Sequence, residues 1–234
     1  MAHVVRHALW AAEVARSGHD DKIALERLEV VVHAGHDVWG RPKQQRAHVS
    51  VTLTLGSPFT SASSTDSVDA STVHYGTLSK AIQAALQAAI PDGGTAEHLS
   101  TAGLCSRILQ CVRSVAGPRS LYATEMDVCY LKGSMFGDGA GYTTATLGSN
   151  DGQLQSKVLY LRNVRIPCIL GVNPNERLQK QPVVLSIWVD GIPDTRVDDY
   201  VALETLLFEV TVGFHDERAA TNPPARFCII VPDD

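Results

Sequence analysis

The sequence of 234 residues is poor in aromatic side chains and in positive charge. Aromatic residues make up 6% of the chain, and 20 lysines and arginines face 25 aspartates and glutamates, which gives a net charge of −5. A general nucleic-acid binder or a membrane-surface binder would carry a basic surface, so neither class is expected. No apolar run approaches the roughly 20 residues of a membrane-spanning helix. The first residues, Met1–Trp10, lack the apolar stretch of a secretory signal.

Cysteine is also scarce. The five cysteines, at positions 105, 111, 129, 168 and 228, form no C-x-x-C pair, and their number is odd. This pattern disfavours a disulfide framework and a zinc module, and we expect a reduced, cytoplasmic protein. His33 and His36 could suggest a metal site, but two histidines without a third ligand nearby are more typical of strand-end and loop residues. We therefore expect neither a metal nor a cofactor.

The chain does contain an internal repeat. A hydrophobic content of 44% is enough for folded cores, and the segments Lys22–Gly56 and Val158–Gly191 align without a gap. The matched pairs lie 136 positions apart and include Leu25/Leu161, Gly35/Gly171, Gln45/Gln181, Ser50/Ser186 and Leu53/Val189. A constant offset over about thirty residues predicts a duplicated unit. We expect an N-terminal helical extension (1–20), a first unit (21–150) and a shortened second unit (151–234), linked near Asn150–Gly152.

Local patterns predict an α+β fold with antiparallel strands. Apolar residues alternate along one strand of each repeat, which indicates half-buried strands: Val49, Val51, Leu53 and Leu55, then Val183, Leu185, Ile187 and Val189. In the first unit we expect helices over Tyr75–Ile90 and from a Thr95 cap to Gly117, then strands near Tyr122–Lys132 and Ala140–Leu147. In the second unit we expect a helix over Tyr200–Gly213 and a strand at Phe227–Val231. An amphipathic helix over Ala2–Arg16, with Leu9, Trp10, Val14 and Ala15 apolar, precedes both units.

Four motifs lie in order on these elements. They are TDSVDASTVHYGTLSKAI (65–82), AEHL (96–99), VCYLKGS (128–134) and GVNPNERLQKQ (171–181). Together they resemble the dihydroneopterin aldolase family, in the tandem arrangement of its fungal members. The resemblance implies the tunnelling fold, in which four antiparallel strands carry two helices on one face. It also implies a homo-oligomeric ring, because sheets of this fold join edge to edge and so satisfy their open edges.

The resemblance also implies an activity and a set of site residues. The family cleaves 7,8-dihydroneopterin by a retro-aldol reaction to 6-hydroxymethyl-7,8-dihydropterin and glycolaldehyde, in folate biosynthesis and without a metal. Carried over residue by residue, the pterin would contact Glu97, His98, Val73 and Gln181, and the catalytic groups would be Lys132, Tyr200, Glu176 and Tyr75. Glu97 would hold the 2-amino and N3–H edge of the pterin through paired hydrogen bonds. Lys132 would take a proton from the side-chain hydroxyl of the substrate.

The two units depart from the family pattern in complementary ways. Gly40 occupies the position that matches Glu176, and the second unit has no counterpart of Glu97 or Lys132 that we can place. This predicts one complete composite pocket, formed by Glu97, Lys132, Glu176 and Tyr200, and one vestigial pocket with Gly40 and Tyr75.

Other interpretations remain open at this point. The chain could be a non-catalytic or regulatory pterin-binding protein of the same fold, or a lyase or cyclase of specialised metabolism. Each site residue also has an ordinary alternative: Glu97 as a surface charge at a helix start, Lys132 as a solvated side chain, the tyrosines as packing residues and Glu176 as the partner of Arg177.

Overall fold

The computed structural model describes residues 3–58, 72–87, 98–117, 121–148, 154–169 and 173–213. The strands are β1 (His3–Val5), β2 (Lys22–Val32), β3 (Gln45–Leu55), β4 (Leu121–Tyr130), β5 (Gly139–Leu147), β6 (Leu154–Ile169) and β7 (Lys180–Asp190). The α-helices are α1 (His7–Arg16), α2 (Tyr75–Gln87), α3 (Thr101–Ala116) and α4 (Tyr200–Gly213), and 3-10 turns span Glu176–Leu178 and Asp194–Arg196. The expected linker at Asn150–Gly152, the Thr95 cap and the strand at Phe227–Val231 lie outside the described residues.

The first half of the sheet consists of β2, β3, β4 and β5 in sequential antiparallel order. Alternate residues of β3 face a core that α2 and α3 cover, and Val49, Val51 and Leu53 are fully buried there. The helices contribute Leu78 and Ile108 to the same core. The α+β class expected from the sequence is therefore confirmed, with two helices on one face of four strands.

Helix α3 begins later than the Thr95 cap implied. Its N-cap is Ser100, whose hydroxyl accepts a hydrogen bond from the Gly103 amide at 3.1 Å. The preceding residue, Leu99, is held in an extended bridge to Ala34, so the helix cannot start before it. Gly117 ends the helix as expected, with φ of 62°, a value that glycine adopts without strain.

The hairpins β2–β3 and β6–β7 carry the same bulge. The pairing register shifts between Leu25 and Leu28 in the first hairpin and between Leu161 and Val164 in the second. Each bulge contains a non-glycine residue at positive φ, Arg27 at 51° in the first hairpin and Asn163 at 52° in the second. Both bulges therefore lie at positions that differ by the 136-residue offset of the sequence repeat.

The second hairpin extends the sheet of the first half. β6 pairs with β5 on one side and with β7 on the other, and β1 joins β6 in parallel beyond the end of β7. The result is one seven-stranded sheet. Among the described residues, no strand pairs with the outer edge of β2 or of β7.

The N-terminal helix differs from the one expected. It begins at His7 instead of Ala2, because His3–Val5 pairs with the part of β6 that β7 leaves free. Of the expected apolar residues, Trp10 and Val14 are buried, whereas Leu9 and Ala15 are exposed. Trp10 and Val14 pack on Ala123 and Ala145, on the face of the sheet opposite α2 and α3, where two small side chains leave room for the indole.

Helix α4 has the bounds that the sequence predicted, Tyr200–Gly213. It packs along β6 and reaches the loops of the first half through Tyr200 and Glu204. No helix in the described part of the chain is long and apolar enough to cross a membrane.

Candidate functional site

Tyr200 joins the second half of the chain to the first. Its side chain is 1% exposed, and its hydroxyl lies 2.5 Å from both the amide nitrogen and the carbonyl oxygen of His36. The hydroxyl accepts from the N–H and donates to the C=O. Burial raises the pKa of this phenol, so it stays neutral near pH 7. A residue of the second half is thus hydrogen-bonded to the loop that follows β2.

That loop, residues 33–36, is also held by the segment before α3. The Leu99 amide donates to the His33 carbonyl at 2.9 Å, and the Gly35 amide donates to the Leu99 carbonyl at 3.1 Å. The Nε2 atom of His98 lies 2.6 Å from the Gly35 carbonyl. Because a carbonyl only accepts, this nitrogen carries the proton. The predicted pterin contact His98 is therefore fixed against the β2–β3 loop.

Gln45 and Gly35 complete the packing of the loop. The amide of Gln45 donates to the carbonyls of Ala34 and His36 at 2.8 and 3.2 Å, and its side chain is buried. Gln45 is the first-unit match of the predicted contact Gln181. Gly35 has φ of 65°, and a Cβ there would lie 2.7 Å from the Tyr130 ring, so any side chain would collide with it.

Asp198 anchors the start of α3. Its carboxylate accepts from the Thr101 amide at 3.2 Å and from the Thr101 hydroxyl, which also lies 2.7 Å from the Tyr130 hydroxyl. A carboxylate at the first turn of a helix is stabilised by the helix dipole. The rings of Tyr130 and Tyr200 have centroids 5.8 Å apart. The hydrogen bonds among Asp198, Thr101 and Tyr130 therefore connect the turn before α4 to the first half.

Lys132 lies in the loop between β4 and β5. Its side chain is exposed, and it follows the Tyr130 that contacts Tyr200. The next residues of the loop bind Glu204 of α4: its carboxylate accepts from the Ser134 hydroxyl and from the amides of Met135 and Phe136, at 2.9 and 3.2 Å. Lys132 is therefore bracketed by two contacts with the second half.

Other predicted residues lie apart from this junction. Tyr75 begins α2, is 66% exposed and stacks on His74, with ring centroids 5.3 Å apart. Val73 is buried in the core of the first half. Glu176 accepts from the amide and the side chain of Asn173, both at 3.1 Å, and the exposed Gln181 donates to the Glu176 carbonyl at 3.4 Å. Glu97 lies outside the described residues.

The loop at Gly40 is built differently from the loop at Glu176. Asp37 accepts from the amides of Trp39 and Arg41 at 2.9 and 3.0 Å, and its carboxylate pairs with the Arg41 guanidinium at 2.7 and 2.9 Å. The hydrogen bonds of Arg41 lower the pKa of Asp37 to about 2. Gly40 has φ of 70°, and a Cβ at this position would have no atom within 4 Å. Because glycine has no side chain, the position offers no functional group.

Histidine and cysteine side chains do not form a metal site or a reactive thiol in this part of the chain. No group of three histidine, cysteine, aspartate or glutamate side chains in the described ranges could hold a metal ion. The rings of His36 and His98 are 6.1 Å apart. Burial raises the pKa of the thiols of Cys105, Cys129 and Cys168, which fits core residues better than nucleophiles.

Sequence reasoning missed three residues at this junction: Gln45, Asp198 and Glu204. Gln45 could have been found, because the repeat pairs it with Gln181. Glu204 also left a signal, as a carboxylate four positions after Tyr200 in an otherwise apolar stretch of helix. Asp198 left none, because a turn rich in aspartate is ordinary.

Known proteins match the chain in structure only in part and at low sequence identity. No family model matches the chain, and no curated protein matches it significantly. Three of the solved structures that match part of it are described as dihydroneopterin aldolases. One, from Vibrio cholerae and described as a dihydroneopterin aldolase, is 16% identical, with a TM-score of 0.42, and the match covers 54% of this chain and 97% of that one.

Two further matches are of the same kind. A dihydroneopterin aldolase from Burkholderia thailendensis, bound to guanine, is 15% identical with a TM-score of 0.38, over 55% of this chain and 92% of that one. The E. coli dihydroneopterin aldolase in complex with neopterin is 12% identical with a TM-score of 0.40, over 53% and 97%.

Proposed function

We propose that the chain is a lyase of the dihydroneopterin aldolase type, with its site at the junction of the two halves. Glu97, His98 and Lys132 of the first half would form the pterin pocket, and α4 of the second half would close it. The observation that supports this most is the bond of Tyr200 to His36, since it joins a predicted catalytic tyrosine of the second half to the loop against which His98 is held. The reaction itself is taken from the resemblance of the four sequence motifs to the dihydroneopterin aldolase family.

The residues would divide the chemistry as follows. Glu97 would orient the pterin through its 2-amino and N3–H donors, and Lys132 would remove the proton of the side-chain hydroxyl. The carbon–carbon bond then breaks, the carbonyl of glycolaldehyde forms, and the electron pair passes into the C=N system of the pterin. Protonation of the resulting carbon completes 6-hydroxymethyl-7,8-dihydropterin. Because both hydrogen bonds of the Tyr200 hydroxyl go to His36, we assign Tyr200 to holding the loop under His98.

This assignment changes the predicted partners of Tyr200. The contacts of Tyr200 are with the loop that leads to Gly40, whereas Glu176 bonds to Asn173 within its own loop. We therefore propose that Gln45, not Gln181, serves the pocket of Glu97 and Lys132. Glu176 and Gln181 would belong to a second pocket, which Tyr75 of another copy could reach in a ring.

An aldolase assay tests the proposal. The purified protein should release glycolaldehyde from 7,8-dihydroneopterin, and Lys132→Met should reduce kcat by roughly 100- to 10,000-fold, the usual contribution of a proton-transfer group. Its melting temperature should not change, because the Lys132 side chain is exposed. Lys80, exposed on α2, offers a matched control as Lys80→Met. An unchanged kcat in Lys132→Met would contradict the mechanism.

A second candidate is a pterin-binding protein without catalysis. Gly40 favours it, because the position that matches Glu176 has no side chain in the half of the chain that keeps Lys132. The two candidates differ in one measurement. Binding of 7,8-dihydroneopterin, followed by its fluorescence, with no glycolaldehyde released would support the second candidate.

A further inference from the structure

Glu204 is a buried carboxylate that binds a loop of the other half of the chain. It is 6% exposed and lies one turn after Tyr200 on α4. Its oxygens accept from the Ser134 hydroxyl and from the amides of Met135 and Phe136, and the Ser134 oxygen in turn accepts from the Gly137 amide at 2.8 Å. Burying a carboxylate is costly unless hydrogen bonds compensate it, and here three donors do so.

All three donors lie two to four residues after Lys132. The loop connects β4 to β5, and Lys132 is two residues from Ser134. Within the described ranges no cation pairs with Glu204, so its charge is compensated by the loop itself. The contact therefore helps to hold the chain on the C-terminal side of Lys132, together with the bond of the Arg165 amide to the Phe136 carbonyl at 3.0 Å, and Tyr130 with its contact to Tyr200 holds it on the other side.

We infer that Glu204 is a positioning residue, which holds the loop 133–137 and thereby sets the direction of the Lys132 side chain. The inference rests on the proposed function for the role of Lys132, but the hold on the loop can be tested without it. The position four residues after Tyr75, on α2, is Ser79, which cannot accept from three donors. At this position α2 therefore has no equivalent of Glu204.

Glu204→Gln tests the hold on the loop. The amide keeps the size of the side chain but turns an N–H₂ group toward one of the donors, so at least one charge-assisted bond is lost. The amides of Met135 and Phe136 should then exchange with solvent about 10- to 100-fold faster, as the loss of such a bond implies. Glu209→Gln, on the exposed side of the same helix, is the matched control and should leave the exchange unchanged.

Ser134→Ala is the second variant, in case Glu204→Gln does not fold. It removes the hydroxyl donor and the acceptor of the Gly137 amide but leaves the carboxylate in place. Faster exchange at Met135 and Phe136, whose amides donate to Glu204, is expected because the carboxylate has lost its third donor, whereas Gly137 exchanges faster in any case since it loses its own acceptor. Exchange that stays at the wild-type rate in the folded variants would overturn the hold of Glu204 on the loop.

Kinetics distinguish positioning from general stabilisation. In Glu204→Gln, kcat should fall at least about tenfold while the Kd of 7,8-dihydroneopterin changes by less than about threefold, because only the proton-transfer group has moved. Equal losses in kcat and binding would overturn the positioning role. If Lys132→Met leaves turnover intact, the role assigned to Lys132 fails and the positioning role of Glu204 with it, whereas the absence of any turnover in the wild type would contradict the proposed function; in both cases the exchange measurement still decides the hold on the loop.

Discussion

Arg27 and Asn163 adopt the same left-handed backbone conformation at matching points of two hairpins. Their φ values are 51° and 52°, and the amide of each donates to a serine hydroxyl on the paired strand, Ser50 at 3.0 Å and Ser186 at 2.9 Å. All these positions differ by the 136-residue offset of the repeat. A shared bulge, with a shared serine that satisfies its amide, supports the proposal that the hairpins descend from one unit.

Substitution by glycine should change the free energy of unfolding differently at the two bulges. Arg27→Gly should raise the free energy of unfolding by about 0.5–1 kcal/mol, because an exposed arginine gains nothing from its positive φ. Asn163→Gly should give no gain, because it also loses the bond of Asn163 to Asp138 at 2.7 Å. Urea denaturation of both variants measures this. A destabilised Arg27→Gly would show that the arginine has a role beyond the bulge.

Substitution of the two predicted catalytic tyrosines, Tyr75 and Tyr200, should have different effects on stability and on activity. Tyr200→Phe removes the partner of the half-buried His36 amide and should cost about 1–3 kcal/mol of unfolding free energy. Tyr75→Phe, at an exposed position, should change it by less than about 0.5 kcal/mol. Turnover should also fall only in Tyr200→Phe. Thermal melts and the aldolase assay measure both, and a damaging Tyr75→Phe beside a silent Tyr200→Phe would reverse the assignment of the pocket.

Asp37 should make stability depend on pH in acid. The pKa of Asp37 is lowered in the folded protein from 3.8 to about 2, first of all by its hydrogen bonds to Arg41. A lowered folded pKa means that the contribution is fully present above about pH 4 and is lost as the pH falls toward 2. Asp37→Asn should therefore be less stable than the wild type above pH 4, and the difference should shrink toward pH 2. Urea midpoints between pH 2 and pH 7 would reveal it; a difference that does not vary with pH would contradict it.

Two chains are expected to close a ring. Among the described residues the outer edges of β2 and β7 are unpaired, and β7 exposes Val184 and Trp188 by 54% and 44%. Open strand edges of this kind are normally covered or paired. Light scattering at micromolar concentration should give at least a dimer, and a charge at the β7 edge, Val184→Lys, should weaken it. A stable monomer under these conditions would contradict the expected ring.

Much of the fold followed from the sequence, because its signals are local. Alternation along Val49, Val51 and Leu53 indicated a strand with one buried face, and the structure has that strand with those residues buried. The bounds of α4 followed from the turn before Tyr200 and the apolar residues after it. The sequence predicted no bulge, but the two bulges of the structure lie at positions related by the repeat offset that was read from residue types alone.

What only the tertiary structure decided were the contacts between distant segments. Residue patterns do not show that Tyr200 lies on His36, 164 positions away, or that Glu204 binds the loop after Lys132. The order of the strands determines these contacts, because β6 joins β5 and so brings α4 over the loops of the first half. The N-terminal segment shows the same limit. Its helical period predicted a helix, but its first residues pair with the free edge of β6 as a strand. The small side chains of Ala123 and Ala145 determine which face of the sheet the helix covers.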